Sequence, residues 1–158
     1  MANQAKPVGL RPHGRILRVQ PFVAGSTVYP GDAVALASDG QVDTVATGKL
    51  LGAAANYATV GQVVQVLCDP NQLFEIESDT AIAVTDIGLN CTLAGSANTT
   101  YKRSGQTIEA STINTTLTLS LQILAISTEV GNAANAVNND VIVRINAHQL
   151  GAIGQTGV

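Results

Sequence analysis

The chain divides into short apolar runs separated by turn residues, a spacing that points to strands. Ala33-Val34-Ala35-Leu36-Ala37 and Gln41-Val42-Asp43-Thr44-Val45 flank Ser38-Asp39-Gly40, and Asp-Gly between two apolar runs predicts a hairpin. Gly61 to Cys68 predicts the next strand, ended by Asp69-Pro70-Asn71 because proline lacks the N–H that a ladder needs. Leu73-Phe74-Glu75-Ile76-Glu77 alternates apolar and charged side chains, as a half-buried strand does. Further strands are predicted over Ile82–Val84, Asn90–Leu93, Thr116–Ile126 and Val141–Asn146; in the third, Leu117, Leu119, Leu121 and Ile123 share one face. Residues 94–107 and Glu129–Asp140 carry no apolar period; the first, with the adjacent Lys102 and Arg103, reads as an exposed loop or else a partner contact, and the second as a loop with room for one helical turn. Nowhere do apolar residues recur at helical spacing among helix formers. The fold class expected is therefore all-β, a small antiparallel β-barrel or sandwich with an extended N-terminal arm and little helix.

The arm is expected over residues 1–26, where Pro7, Gly9, Pro12, Gly14, Pro21 and Gly25 prevent a helix from propagating. Only Arg15–Gln20 has room for a short strand. Residues 27–150 form the expected body, and Gly151, Gly154 and Gly157 mark a flexible C-terminal tail over 151–158.

Charge sharpens this division. Lys6, Arg11, Arg15 and Arg18 are four of the eight basic residues, and no acidic residue lies among the first 18, whereas all 11 acidic residues follow. A basic arm on an acidic body is the reading. Four charges spread that thinly would bind a nucleic acid weakly and lose it steeply with salt, so no nucleic-acid partner is expected. Charged residues make up only 12% of the chain, against about 25% in ordinary globular domains. Aromatics total 3% with no Trp, too few for a membrane belt, a stacking platform for single strands or a cage for a cationic ligand.

Candidate chemistry adds little. Cys68 and Cys91 have no Cys-x-x-Cys spacing and read as buried reduced thiols. His13 and His148 stand apart in sequence from any nucleophile motif, and no phosphate loop, nucleophile elbow or His-Glu-x-x-His run occurs. Glu75 and Glu77 project from one face of a strand and are the only paired carboxylates with a spacing suited to acid–base work, yet sugar cleavage also calls for aromatic platforms. Asp39 and Asp43 flank a turn without the twelve-residue calcium pattern. Asn90, Asn98 and Asn114 begin Asn-x-Thr triplets that an Asn/Thr-rich composition produces unaided. No apolar core of a secretory signal and no membrane-length apolar run is present. The expectation is a protein without catalytic residues, cofactor, metal, membrane or small-molecule substrate.

Gly9-Leu10-Arg11-Pro12, Tyr29-Pro30-Gly31-Asp32-Ala33-Val34, Leu73-Phe74-Glu75-Ile76-Glu77-Ser78-Asp79 and Asn139-Asp140-Val141-Ile142-Val143-Arg144-Ile145-Asn146-Ala147-His148-Gln149 occur in that order. Together they resemble the head decoration, or capsid cement, proteins of tailed bacteriophages. The resemblance implies an all-β structural virion protein, made in the bacterial cytoplasm, that sits on the outer surface of the head as a homotrimer. There it binds the major capsid protein and clamps adjacent capsomers against the pressure of packaged DNA. The long Asn/Thr-rich stretch over 94–116 departs from that pattern. Lys6, Val8, Leu10, Arg11, Arg15, Ile16, Leu17 and Arg18 are the expected capsid-contact residues of the arm. The alternative is a tail, neck or surface-binding β module that contacts a receptor or carbohydrate.

Overall fold

The computed structural model describes residue 3 and residues 5–151. Among the described residues, eleven strands form two antiparallel sheets. The first sheet holds β1 (Arg11–His13), β7 (Leu73–Glu77), β8 (Asn90–Ala94), β9 (Thr107–Asn114), β10 (Leu121–Ile126) and β11 (Asp140–Ile145), in the order β1-β7-β11-β10-β8-β9. The second holds β2 (Val19–Val23), β3 (Ala33–Leu36), β4 (Val42–Thr44), β5 (Gly52–Ala54) and β6 (Val63–Leu67), in the order β2-β6-β5-β3-β4. One 3-10 turn, Val84–Asp86, is capped by the Asp86 carboxylate, which accepts the Ala83 N–H at 2.8 Å. The all-β reading holds, and among the described residues no helix is long and apolar enough to cross a membrane.

The expected hairpin is β3–β4. Leu36 pairs with Val42, Gly40 takes φ +81°, and the Asp39 carboxylate accepts the Gln41 N–H at 2.9 Å, which fixes the turn. Strands β6, β7, β8 and β11 also lie where the apolar runs predict them.

The pleat divides the second sheet between two cores. Ala33, Ala53 and Leu67 join Phe74, Ile76, Leu121 and the other buried apolar residues of the first sheet, while Val34, Ala54 and Val66 face a smaller core with Val28, Val42 and Val64. A bridge from Ala24 to Val42 links the two edges of the second sheet, and one from Ser78 to Ile108 links β9 back to the end of β7. Both sheets therefore curl around apolar contents.

Three expectations need correcting. The separate arm over 1–26 is instead built into both sheets through its described residues: β1 pairs with β7, β2 pairs with β6, and Leu10 is buried in the larger core. Proline forbids helix here but not strand. The N–H of Cys68 reaches the Arg18 carbonyl and that of Ala24 the Gln62 carbonyl, so by alternation Pro21 sits where its missing N–H would face away from β6. Gly9, at φ +70°, and Gly31, at φ +89°, let the two backbones approach until the Leu10 N–H donates to the Gly31 carbonyl at 2.8 Å. A Cβ on Gly9 would collide with that same carbonyl.

Second, Ile82–Val84 is no strand, because Ile82 hydrogen-bonds the buried Asn139 side chain in both directions, at 3.1 and 3.0 Å. Third, β10 begins only at Leu121. Side-chain amides of Asn90 and Asn146 capture the carbonyls of Thr116, Leu117 and Leu119, which turns 115–120 out of the ladder and leaves Leu117 exposed. The C-terminal tail lies outside the described residues beyond Gly151.

Candidate functional site

The segment from Lys6 to Arg18 separates two surface features. On one side is a polar cleft of about 310 Å³, bounded by Asn3, Lys6, Glu77, Glu129 and Asp140. Glu75 and Glu77 are both buried, not half exposed, because β7 is covered on either edge by β1 and β11. The Arg11 guanidinium lies 3.1 Å from Asp140 Oδ1 and 3.8 Å from Glu75 Oε2, and the Lys6 backbone N–H donates to Glu77 Oε2 at 2.5 Å. Desolvation raises the pKa of the Glu77 and Asp140 carboxyls from their ordinary values; the Lys6 N–H opposes this most at Glu77, and the Arg11 charge at Asp140. Carboxylate oxygens of Glu75, Glu129 and Asp140 lie within 4.8 Å of one another, a spacing able to hold a cation, and Arg11 stands against two of them. The network ties the start of the chain to the loop before β11.

On the other side is an apolar groove of about 460 Å³, with Val8, Leu10, Pro12, Ile16, Val19 and Leu67 among its walls and Arg11 and Arg103 at its polar margin. Its outer wall is the loop over residues 14–18. Gln72 is buried beneath that loop: its Oε1 accepts the Leu17 N–H at 3.0 Å, and its Nε2 donates to the Arg15 carbonyl at 3.3 Å. The loop is thus held by a satisfied amide while Arg15, Ile16, Leu17 and Arg18 point to solvent.

Beside the groove the fold gathers all three tyrosines. The Tyr29 and Tyr57 rings pack at a tilt of 53° with centroids 5.3 Å apart, Lys102 Nζ lies 5.4 Å from the Tyr57 ring, and the Arg103 guanidinium lies 5.2 Å from the Tyr101 ring. Composition discouraged any aromatic site, yet the fold pairs two of the three rings and sets cations over Tyr57 and Tyr101. Tyr29-Pro30-Gly31 lay within a stretch that the sequence singled out, and Tyr101 lies beside Lys102 and Arg103 in the stretch read as an exposed loop or a partner contact.

The expected contact residues split accordingly. Val8, Leu10, Arg11 and Ile16 do converge on one groove; Lys6 and Arg11 also serve the cleft. Val19, Pro30 and Arg103 are wall residues outside the expected contact set.

The remaining titratable candidates are placed for structure. Both cysteines are free and buried; burial pushes the Cys91 thiol up to about 12 and raises Cys68, whose thiol lies 3.6 Å from Gln20 Oε1. His148 is buried, which lowers its pKa, and its Nδ1 accepts the Leu150 N–H at 2.9 Å. What the assembled surface offers is contact: an open apolar groove with a cationic and aromatic margin. No protein-family model matches the chain, and a search of curated proteins finds no significant relative.

Proposed function

We propose that this protein is a structural virion component: a decoration, or cement, subunit that binds the major capsid protein on the outside of a tailed-phage head as a homotrimer. The observation that supports the reading is the apolar groove into which four of the expected contact residues converge, a surface suited to contact between the protein subunits of a shell, copies of this chain included. Clamping then needs no chemistry beyond burial. Internal DNA pressure separates capsomers, and a subunit spanning two of them opposes each opening with its own binding free energy. Exposed ion pairs from Arg15 or Arg18 would add only about 0–1 kcal/mol each. Apolar burial, at roughly 25 cal/mol per Å² before ordering costs, supplies the main part.

A second reading, a tail, neck or surface-binding module, is favoured by the exposed rings of Tyr57 and Tyr101, since exposed aromatic faces suit a carbohydrate. Densitometry of purified particles separates the two. A cement subunit is present at a copy number comparable to that of the shell protein, and particles stripped of it break at lower temperature or on osmotic shock. A copy number of a handful, or stripped particles as robust as complete ones, removes the cement reading.

A further inference from the structure

One apolar side chain stands out as unburied while one apolar groove stands open. Val130 is 106% exposed, the highest value among the described large hydrophobics. It is not on a frayed end. The turn from Glu129 to Asn132 closes with the Asn132 N–H on the Glu129 carbonyl at 3.0 Å, Gly131 supplies the required φ of +90°, and the Asn132 amide donates to the Ser127 carbonyl at 2.7 Å. The fold therefore presents Val130 on a pinned tip, with Glu129 beside it.

The charges around the two features are opposite. Glu129 belongs to the cleft whose three carboxylates, Glu77, Glu129 and Asp140, outnumber Lys6 and Arg11, and the buried Glu75 carboxylate lies close to two of them. At the groove the imbalance is reversed: Arg15 and Arg18 flank Ile16, and Arg103, next to Lys102, forms part of the wall. Among the described residues both ion pairs belong to Arg11, so these other cations have no carboxylate within ion-pair distance.

We propose that the groove beside Ile16 receives the Glu129–Val130 tip of a second copy of this chain. Val130 enters the apolar floor, and the exposed Glu129, whose carboxylate is crowded by those of Glu75 and Asp140 in its own chain, turns to the cationic margin. Because tip and groove are different surfaces, the contact is head-to-tail, and it gives a closed ring where the rotation closes. The inference rests on the proposed role only for its purpose. Solution mass tests the contact and particle copy number tests the role, so either fails without the other.

The experiment is light scattering and sedimentation velocity on the full chain over a wide concentration range, with Ile16→Asp, Val130→Asp and an equal mixture of the two. Wild-type protein should form one discrete oligomer. Each variant alone should need at least about ten-fold more protein to associate, as expected when a central apolar anchor is lost. The mixture should give dimers that grow no further, because one intact groove and one intact tip remain. Both positions are exposed, so melting curves should match wild type; should either variant misfold, Ile16→Ser and Val130→Ser replace them. Monomeric wild type throughout the range, an oligomer that survives both substitutions, or a mixture that stays monomeric would overturn the proposal.

Discussion

Gln72 and Leu17 are joined by a 3.0 Å hydrogen bond from the Leu17 N–H to the Gln72 side-chain carbonyl, and the same buried amide holds the Arg15 carbonyl. The groove wall therefore depends on a residue 55 positions further along the chain. Gln72→Leu keeps the volume but leaves a backbone N–H and a carbonyl without their partner, at a cost of about 1–3 kcal/mol if both stay buried. The expected outcome is a lower melting temperature together with faster tryptic cleavage after Arg15 and Arg18. Unchanged cleavage would mean that the loop is held by something else.

Glu77 gives a pH signature. Its folded-state pKa is raised, chiefly by desolvation, so between the ordinary glutamate value of about 4.3 and the raised value the folded protein binds more protons than the unfolded chain. Stability from this group is thus highest at acid pH and is lost as pH rises through that window; Asp140 acts in the same sense. Glu77→Gln keeps an acceptor for the Lys6 N–H and removes the titration. The variant should melt higher than wild type at pH 7 and converge with it in acid. A constant difference across the range would refute the assignment.

The thiols should be silent in the native state. Cys91 is held near 12 and Cys68 is raised by burial, so little thiolate exists at neutral pH. Thiol reagents should label neither residue until denaturant is added and then label both. Rapid labelling of folded protein would show that one strand opens readily.

Where apolar runs lay between strong turn signals, as at Val34 to Val42 around Asp39-Gly40 or at Leu73–Glu77, strand positions were legible. β5, with the sequence Gly-Ala-Ala, carries no alternation and was not; it exists because its neighbours β3 and β6 leave a place where Gly52 alone fits beside the Leu67 carbonyl. β9, Thr107–Asn114, is mostly polar and escaped notice for the same reason, that its partner β8 decides its conformation. Residues 115–120 failed in the opposite direction. Their perfect alternation lost to Asn90 and Asn146, which are distant in sequence and take the carbonyls. The groove was half legible: apolar and basic residues in the first 18 positions marked one wall, but nothing local tied them to Pro30, Leu67 or Arg103.

Two residues expected to act alike should now separate. Leu10 is 1% exposed and contributes to the larger core, whereas Ile16 is 51% exposed at the groove. Leu10→Ala removes buried methyl groups from a packed site and should cost about 2–5 kcal/mol, so the isolated protein melts lower and occupancy on particles falls only through that loss. Ile16→Ala should leave stability within about 0.5 kcal/mol, as surface changes usually do. If Ile16 serves the groove as a contact, its loss should instead weaken association and particle occupancy at temperatures where the fold is intact. Replacing Arg15 and Arg18 together should lower occupancy less than Ile16→Ala does, and make what remains less dependent on salt, because exposed charges contribute little and are screened. Differential scanning calorimetry on free protein beside densitometry on reconstituted particles reads both quantities. Equal melting losses for Leu10→Ala and Ile16→Ala, or wild-type occupancy for Ile16→Ala, would show that the groove is not the contact surface.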